Sequence, residues 1–417
     1  MPWVLHGTKL TVMRNTAPTP ASIAVVTVDC LPAWMIPASG CTWVAMPALD
    51  ALAGRGIVFD RVMATSDDVL GTLAALAGSG LTAARSSSLP VLASSAERGR
   101  ATVLVTDDTT VAAMAVEPTD VRLVPPFVNT VPAVSAADTT LGRLFEAATT
   151  VVAGGECQFL WCHASSLGVA WDAPLSFRDR YIDPDDPPPP SGTGVPIIHA
   201  GPETDPDILV AIRHAFAAQL TLLDHCLGIL LAAITSRAEP WTILVAGTRG
   251  LGLGLHGVVG PTQTLPYSEV MQLTAILVDH RRRMAGQRYG GLLIPDDLGA
   301  TILDMLGCPP EPSTDPRRGR SLGSLLNSWL PPDRDRVIAR STQGTAVSTP
   351  SWHLVQPNQV ETEWPRAQIF SKPDDFFEAC DVADRCPAVA DELASRARGN
   401  LEEAWTTPLS PEAIHGT

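Results

Sequence analysis

The residues of this chain that could do chemistry gather at a few strand ends and turns. Asp29 closes the apolar run SIAVVTVDC, and Asp67 and Asp68 open the stretch DDVLGTLAAL. Carboxylates in such places can hold a hard cation, attack as nucleophiles through an acyl intermediate, or cap a turn or helix. The run ILVAGTRGLGLGLHG carries a guanidinium, Arg249, and an imidazole, His256, on one turn. Its segment Gly252-Leu-Gly-Leu-His-Gly257 meets the spacing G-x-G-x-x-G of a dinucleotide site, with Asp279 as the candidate ribose acid. Such a turn must open directly into a helix whose N-terminus takes the pyrophosphate. Here VVGPTQTLPYS intervenes, with a glycine and two prolines, which argues against that site.

The elements that must position these groups read as an α/β sheet. SIAVVTV, ATVLVTDD, CQFLWCH, WTILVAG and LTAILVD are runs rich in β-branched and other apolar residues, suited to strands covered on both faces. Helical stretches separate them: MPALDALAGRG, with a glycine stop, and the long ILVAIRHAFAAQLTLLDHCLGILLAAI. The proline-rich segment from Asp183 to Gly194 can join neither a ladder nor a helix, so it is expected at the surface. After Pro331 the pattern shifts to short alternating segments, VIARST, TAVSTPSWHLVQP and RAQIFS, and a last helix near Pro387 to Arg398. That pattern predicts a core domain over 20–331 and a small α+β subdomain with an antiparallel sheet over 332–417.

Composition limits the partners. The chain has 417 residues, is 45% hydrophobic and carries a formal net charge of −15, which disfavours nucleic acid and anionic membranes as the main partners. Only Lys9 and Lys372 bear an ammonium; the other basic residues are arginines. The eight cysteines show no C-x-x-C spacing; Cys380 and Cys386 are the most plausible disulfide pair, although free thiols in one loop fit as well. The N-terminal stretch has no apolar run suited to a signal sequence, and a run of about twenty consecutive apolar residues is absent, so a cytoplasmic protein without a membrane span is expected.

Several segments, in order, resemble the sulfatase family. IAVVTVDC followed by MPALDALAGRGIVFDRVMATS is similar to the family's opening strand, which ends in two aspartates, and its "TPNLDALAARGVRF" segment. FLWCHASSLGVAWDAPLSFRDRY resembles "H-x-M-D-P-H-x-P-Y-x-x-P…F/Y-R-D-R-Y", with His163, Trp171, Asp172, Pro174 and Arg178-Asp179-Arg180-Tyr181 in register. The glycine turn falls on "VVVTSDHGEMLGEHG", matching Gly250, Leu253, Gly254, His256 and Gly257. LPYSEVMQLTAILV, DDLGATILDMLGCP, GRSLGSLL and KPDDFFEACDVADRCPAVADEL match later segments, so the likeness runs from about residue 22 to about 395. It implies the alkaline-phosphatase-like architecture: a mixed, mostly parallel sheet between helices, with a small C-terminal antiparallel subdomain.

The resemblance also implies a site, and the site is depleted. The family holds a divalent cation, usually calcium, with strand-end carboxylates, and its nucleophile is a formylglycine made in a C/S-x-P-S-R motif. Here the first metal aspartate is Asp29, but the second is Cys30, a soft ligand that calcium does not favour. The nucleophile position falls on Asp68, which cannot become formylglycine, and the oxidation motif becomes Leu70-Gly71-Thr72. The catalytic histidine falls on Gly168, the Asp-His of S-D-H-G becomes Thr248-Arg249, and the catalytic lysines have no candidate. What remains as a candidate site is Asp68, Arg249 and His256, with Asp29 and Asp68 as vestigial metal ligands. A pseudoenzyme is therefore expected, without a cofactor, its pocket binding a sulfated or phosphorylated small molecule, a glycan or a protein partner. The alternatives are an active sulfuric- or phosphoric-ester hydrolase with a rebuilt site using calcium or another divalent cation, and a scaffold subunit of an active homologue. Arg249 is expected to reach Asp29 or Asp68 and to neutralise them in place of a metal. His256 is expected to satisfy a loop carbonyl and His163 to be a hydrogen-bonded core histidine. The cluster from His280 to Arg283 is expected in a solvated loop.

Overall fold

The computed structural model describes residues 21–78, 88–127, 129–332, 334–358 and 366–416. Lys9 and the N-terminal stretch lie outside them. In chain order the strands are β1 (Ser22–Val28), β2 (Ile57–Met63), β3 (Thr102–Thr106), β4 (Asp120–Leu123), β5 (Phe159–Ala164), β6 (Ile198–His199), β7 (Trp241–Gly247) and β8 (Gly252–Leu253). They continue with β9 (Val258–Gly260), β10 (Gln272–Leu273), β11 (Ala275–Val278), β12 (Gln287–Leu293), β13 (Val337–Arg340), β14 (Gly344–Ser348), β15 (Trp352–Pro357) and β16 (Gln368–Ser371).

A nine-stranded sheet runs in the order β10-β2-β11-β7-β1-β5-β3-β4, with β12 beside β2. From β7 to β4 every pairing is parallel; β11 is antiparallel to both β7 and β2. β1 lies at the centre, and its seven residues are all buried. Ile23 and Val25 enter one apolar core and Ala24, Val26 and Val28 the other, the two-residue alternation of a strand covered on both faces. The helix Pro206–Thr235 supplies Phe216, Leu220, Leu223, Leu227 and Leu230 to the second core. By length and mean hydropathy this helix could cross a membrane, although Arg213, Gln219 and Asp224 interrupt its apolar run. Two thirds of its most apolar stretch is buried against the protein, which accounts for the composition as that of a core helix.

The C-terminal strands form a separate antiparallel sheet, β13-β14-β15-β16, covered by the helix Pro387–Arg398. The two sheets are joined next to the site. Arg340 N–H donates to the Thr65 carbonyl, and Asp67 Oδ2 accepts from Thr342 N–H at 3.4 Å. The glycine turn is a hairpin between β8 and β9, not a helix start: Gly254 N–H bonds the Val258 carbonyl, with φ of +86° at Gly254 and +74° at Gly257. Asp279 follows β11, which runs antiparallel to β7, and so sits at the opposite end of the strands from that turn. Its carboxylate pairs instead with Arg283, four residues on, while Arg281 Nε donates to His280 Nε2. All eight cysteines are free thiols, Cys380 and Cys386 included.

Candidate functional site

The site grows out of the register between the central strands. Past their ends, β1 and β7 keep bonding: Thr248 N–H donates to the Val28 carbonyl and Leu31 N–H to the Arg249 carbonyl, while Asp29 N–H reaches back to Ala164 on the β5 side. This ladder sets Thr248 and Arg249 beside Asp29. Arg249 Nη2 donates to Asp29 Oδ2 at 2.8 Å and its Nε to Oδ1 at 3.3 Å, a forked contact. Thr248 Oγ1 also donates to Oδ1, at 3.2 Å, and the Cys30 thiol to Oδ2 at 3.5 Å. The Asp29 side chain is 9% exposed and that of Arg249 25%, so the pair lies at the edge of the interior. Burial alone would weaken the charge on Arg249; the carboxylate of Asp29 beside it more than reverses this. Burial, and then the charge of Asp29, push the Cys30 thiol far up, so it stays protonated and serves Asp29 as a donor. Cys30 takes a left-handed backbone (φ +58°), uncommon for a side-chain-bearing residue, to turn its sulfur back onto this pair.

Gly168 closes the pocket over them. A Cβ there would lie 2.9 Å from Cys30 Sγ and 3.7 Å from Asp29 Oδ2. The position that resemblance gives to the catalytic histidine therefore admits no side chain without movement of its neighbours. Asp68 serves as N-cap of the helix Val69–Leu76, its Oδ1 accepting from Leu70 N–H at 3.1 Å. Gly71 makes room for it, since a Cβ there would come within 2.9 Å of Asp68 Oδ2.

The donor set does not fit a calcium ion. Both Asp29 oxygens face a guanidinium, Cys30 presents a protonated sulfur, and Asp68 caps a helix. Among the described residues no group of three or more His, Cys, Asp or Glu side chains is arranged to hold a metal.

His256 bonds a carboxylate rather than the loop carbonyl anticipated from sequence. Its Nδ1 lies 3.1 Å from Glu269 Oε1, and the ring stacks on Tyr267 at 3.7 Å between centroids. The carbonyl reading failed because Glu269 is buried, and its charge offers a stronger acceptor than a peptide oxygen. Behind it lies a cluster that sequence reasoning missed. Glu378 receives Lys372 Nζ at 3.0 Å and the Ser268 N–H at 2.9 Å, with the Ser268 hydroxyl also donating to it and His353 Nε2 at 3.6 Å. Lys372 was set aside as lacking a site, yet its ammonium is 5% exposed and also donates to the carbonyls of Asp375 and Phe376. Its place in the matched segment KPDDFFEACDV was the available signal. Burial would raise Glu378, but His353, Lys372 and Ser268 hold it below the ordinary glutamate range. His163 is a core histidine, with Nδ1 2.9 Å from Thr27 Oγ1, and burial lowers its pKa.

No protein-family model and no curated protein sequence matches this chain. Solved structures do. A phosphonate monoester hydrolase of Agrobacterium radiobacter superposes with a TM-score of 0.69 at 14% identity, covering 90% of this chain and 94% of its own. A 2-O GAG sulfatase gives 0.67 at 15% identity over 95% and 96%. A third protein, solved with its substrate D-glucosamine-2-N,6-O-disulfate, gives 0.63 at 12% identity over 88% and 94%. With its mostly parallel sheet and separate antiparallel C-terminal sheet, this chain has the fold of these sulfatases and phosphonate monoester hydrolases.

Proposed function

We propose that this chain is a sulfatase-fold binding protein that does not hydrolyse esters. The forked contact of Arg249 with Asp29 carries the reading, because a guanidinium neutralises the carboxylate at the strand ends. Ester cleavage there would need an attacking group, a proton donor for the leaving alkoxide and a positive clamp free to face the ester. Asp68 is bonded to its own helix, Gly168 has no side chain, and two edges of the Arg249 fork are turned onto Asp29 and Cys30. The ligand class follows from the neighbours: one is a sulfatase of GAG and one was solved with a sulfated glucosamine, which supports a sulfated sugar as ligand here.

An aryl sulfate and an aryl phosphate, each assayed with calcium, magnesium, manganese and zinc, are expected to give no turnover above the rate without protein. Turnover that Asp68→Ala abolishes would overturn the proposal and return Asp68 to the role of nucleophile.

A further inference from the structure

A second cationic cavity lies away from the strand-end pair, between the edge of the large sheet and the C-terminal sheet. It encloses about 360 Å³, and Arg61, Arg288 and Lys372 line it together with Asp60, Ser39 and Gly290. Asp60 and Arg61 belong to β2, which is separated from β1 by β11 and β7. Three strand spacings put it roughly 14 Å across the sheet from Asp29.

Arg61 is the informative residue. Its Nη1 and Nη2 donate to the carbonyls of Pro350 and Thr349, both at 2.6 Å. Those bonds satisfy donors but bring no negative charge. Burial lowers the guanidinium to about 10, with no carboxylate among the causes acting against it. Its neighbours do not supply the missing charge. Arg288 is paired with Asp60, and Lys372 with Glu378. Arg61 is thus the one of the three with no carboxylate acting on it, in a protein whose net charge is −15. An interior cation without a counter-ion is costly, and a cavity opening onto it offers the place where an anion would remove that cost.

We propose that this cavity binds a tetrahedral oxyanion, as free sulfate or phosphate or as the sulfate or phosphate group of a larger molecule, held by Arg61 and Arg288. Arg288 reaches the anion by sharing its fork with Asp60, so Asp60 competes with the ligand. The inference does not depend on whether the strand-end site turns over.

Titration calorimetry on the full chain, at ionic strength held constant with sodium chloride, tests it with sodium sulfate and with glucosamine 6-sulfate as separate probes. Saturable binding is expected, weakened at least about tenfold by Arg288→Gln, whose side chain is half exposed. Asp60→Asn is expected to tighten binding. Equal affinity for the two probes identifies the free ion as ligand; tighter binding of the sugar identifies a sulfated molecule. Absence of saturable binding with both probes, or binding indifferent to Arg288→Gln, would each overturn the proposal.

Discussion

Arg249→Ala will destabilise the folded protein by about 3 kcal/mol, the lower end for breaking a buried ion pair by removal of one partner. The loss comes from Asp29, not from the arginine. With its side chain 9% exposed, Asp29 would keep a charge with only Thr248 and the Cys30 thiol to serve it. The double variant Asp29→Asn with Arg249→Ala removes that stranded charge and is expected to recover most of the loss. A double-mutant cycle from urea unfolding measures this directly, since contacting charges couple far beyond the few tenths of a kcal/mol that separates independent sites. Additive losses from the two single variants would show that the pair carries no mutual stabilisation. A spectator arginine pointing into solvent would give that result.

Glu378→Ala is expected to cost more, roughly 4 kcal/mol, because the pair is fully interior and several groups lose their partner at once. Lys372 would keep only two peptide carbonyls as acceptors, and Ser268 would lose both bonds it makes to the carboxylate. Glu378 fastens the C-terminal sheet to the core beside His256, so urea unfolding of this variant should also lose cooperativity. The cluster adds an acid limit to stability. Burial carries His353 from 6.5 down to about 4, against the pull of Glu378. Between those values the unfolded chain binds a proton that the folded chain refuses. His353 by itself should remove roughly 3 kcal/mol of stability as the pH drops from about 6.5 to about 4, while Asp296, raised by burial to about 6, works in the opposite direction, so the His353 share is read as the difference from a His353→Gln variant. Glu378, held below its ordinary range, adds to the loss in the same direction, as its own protonation below that point removes a charge the fold uses. Unfolding free energies that change with pH in the same way in the protein and in His353→Gln, from about pH 7 to about pH 4.5, would contradict this assignment.

Sequence exposes what repeats along the chain and hides what meets across it. SIAVVTV reads as a doubly covered parallel strand because every residue is apolar or small, and β1 is that strand. VIAR and WHLVQP alternate, and they pair in the antiparallel C-terminal sheet. Arg249 could be placed against Asp29 because both follow apolar strands that an α/β sheet sets side by side. Glu378, Lys372, His353 and Ser268 gave no such warning. They come from three separate segments, and only the docking of the small sheet brings them within bonding distance. Arg61 was equally silent, since the charged pair Asp60-Arg61 inside β2 gives no sign that the Thr349–Pro350 turn covers the arginine. His256 was located correctly on its turn, but its acceptor lies thirteen residues away in a helix whose buried glutamate nothing local announced.

The most direct test is titration of the purified protein with calcium. A guanidinium already seated on both oxygens of Asp29, beside a protonated thiol, predicts no saturable heat and no rise in melting temperature with added calcium. Tight, saturable binding that Asp29→Asn abolishes would contradict it, and would mean that Arg249 gives way to a metal and that the strand ends keep a working site.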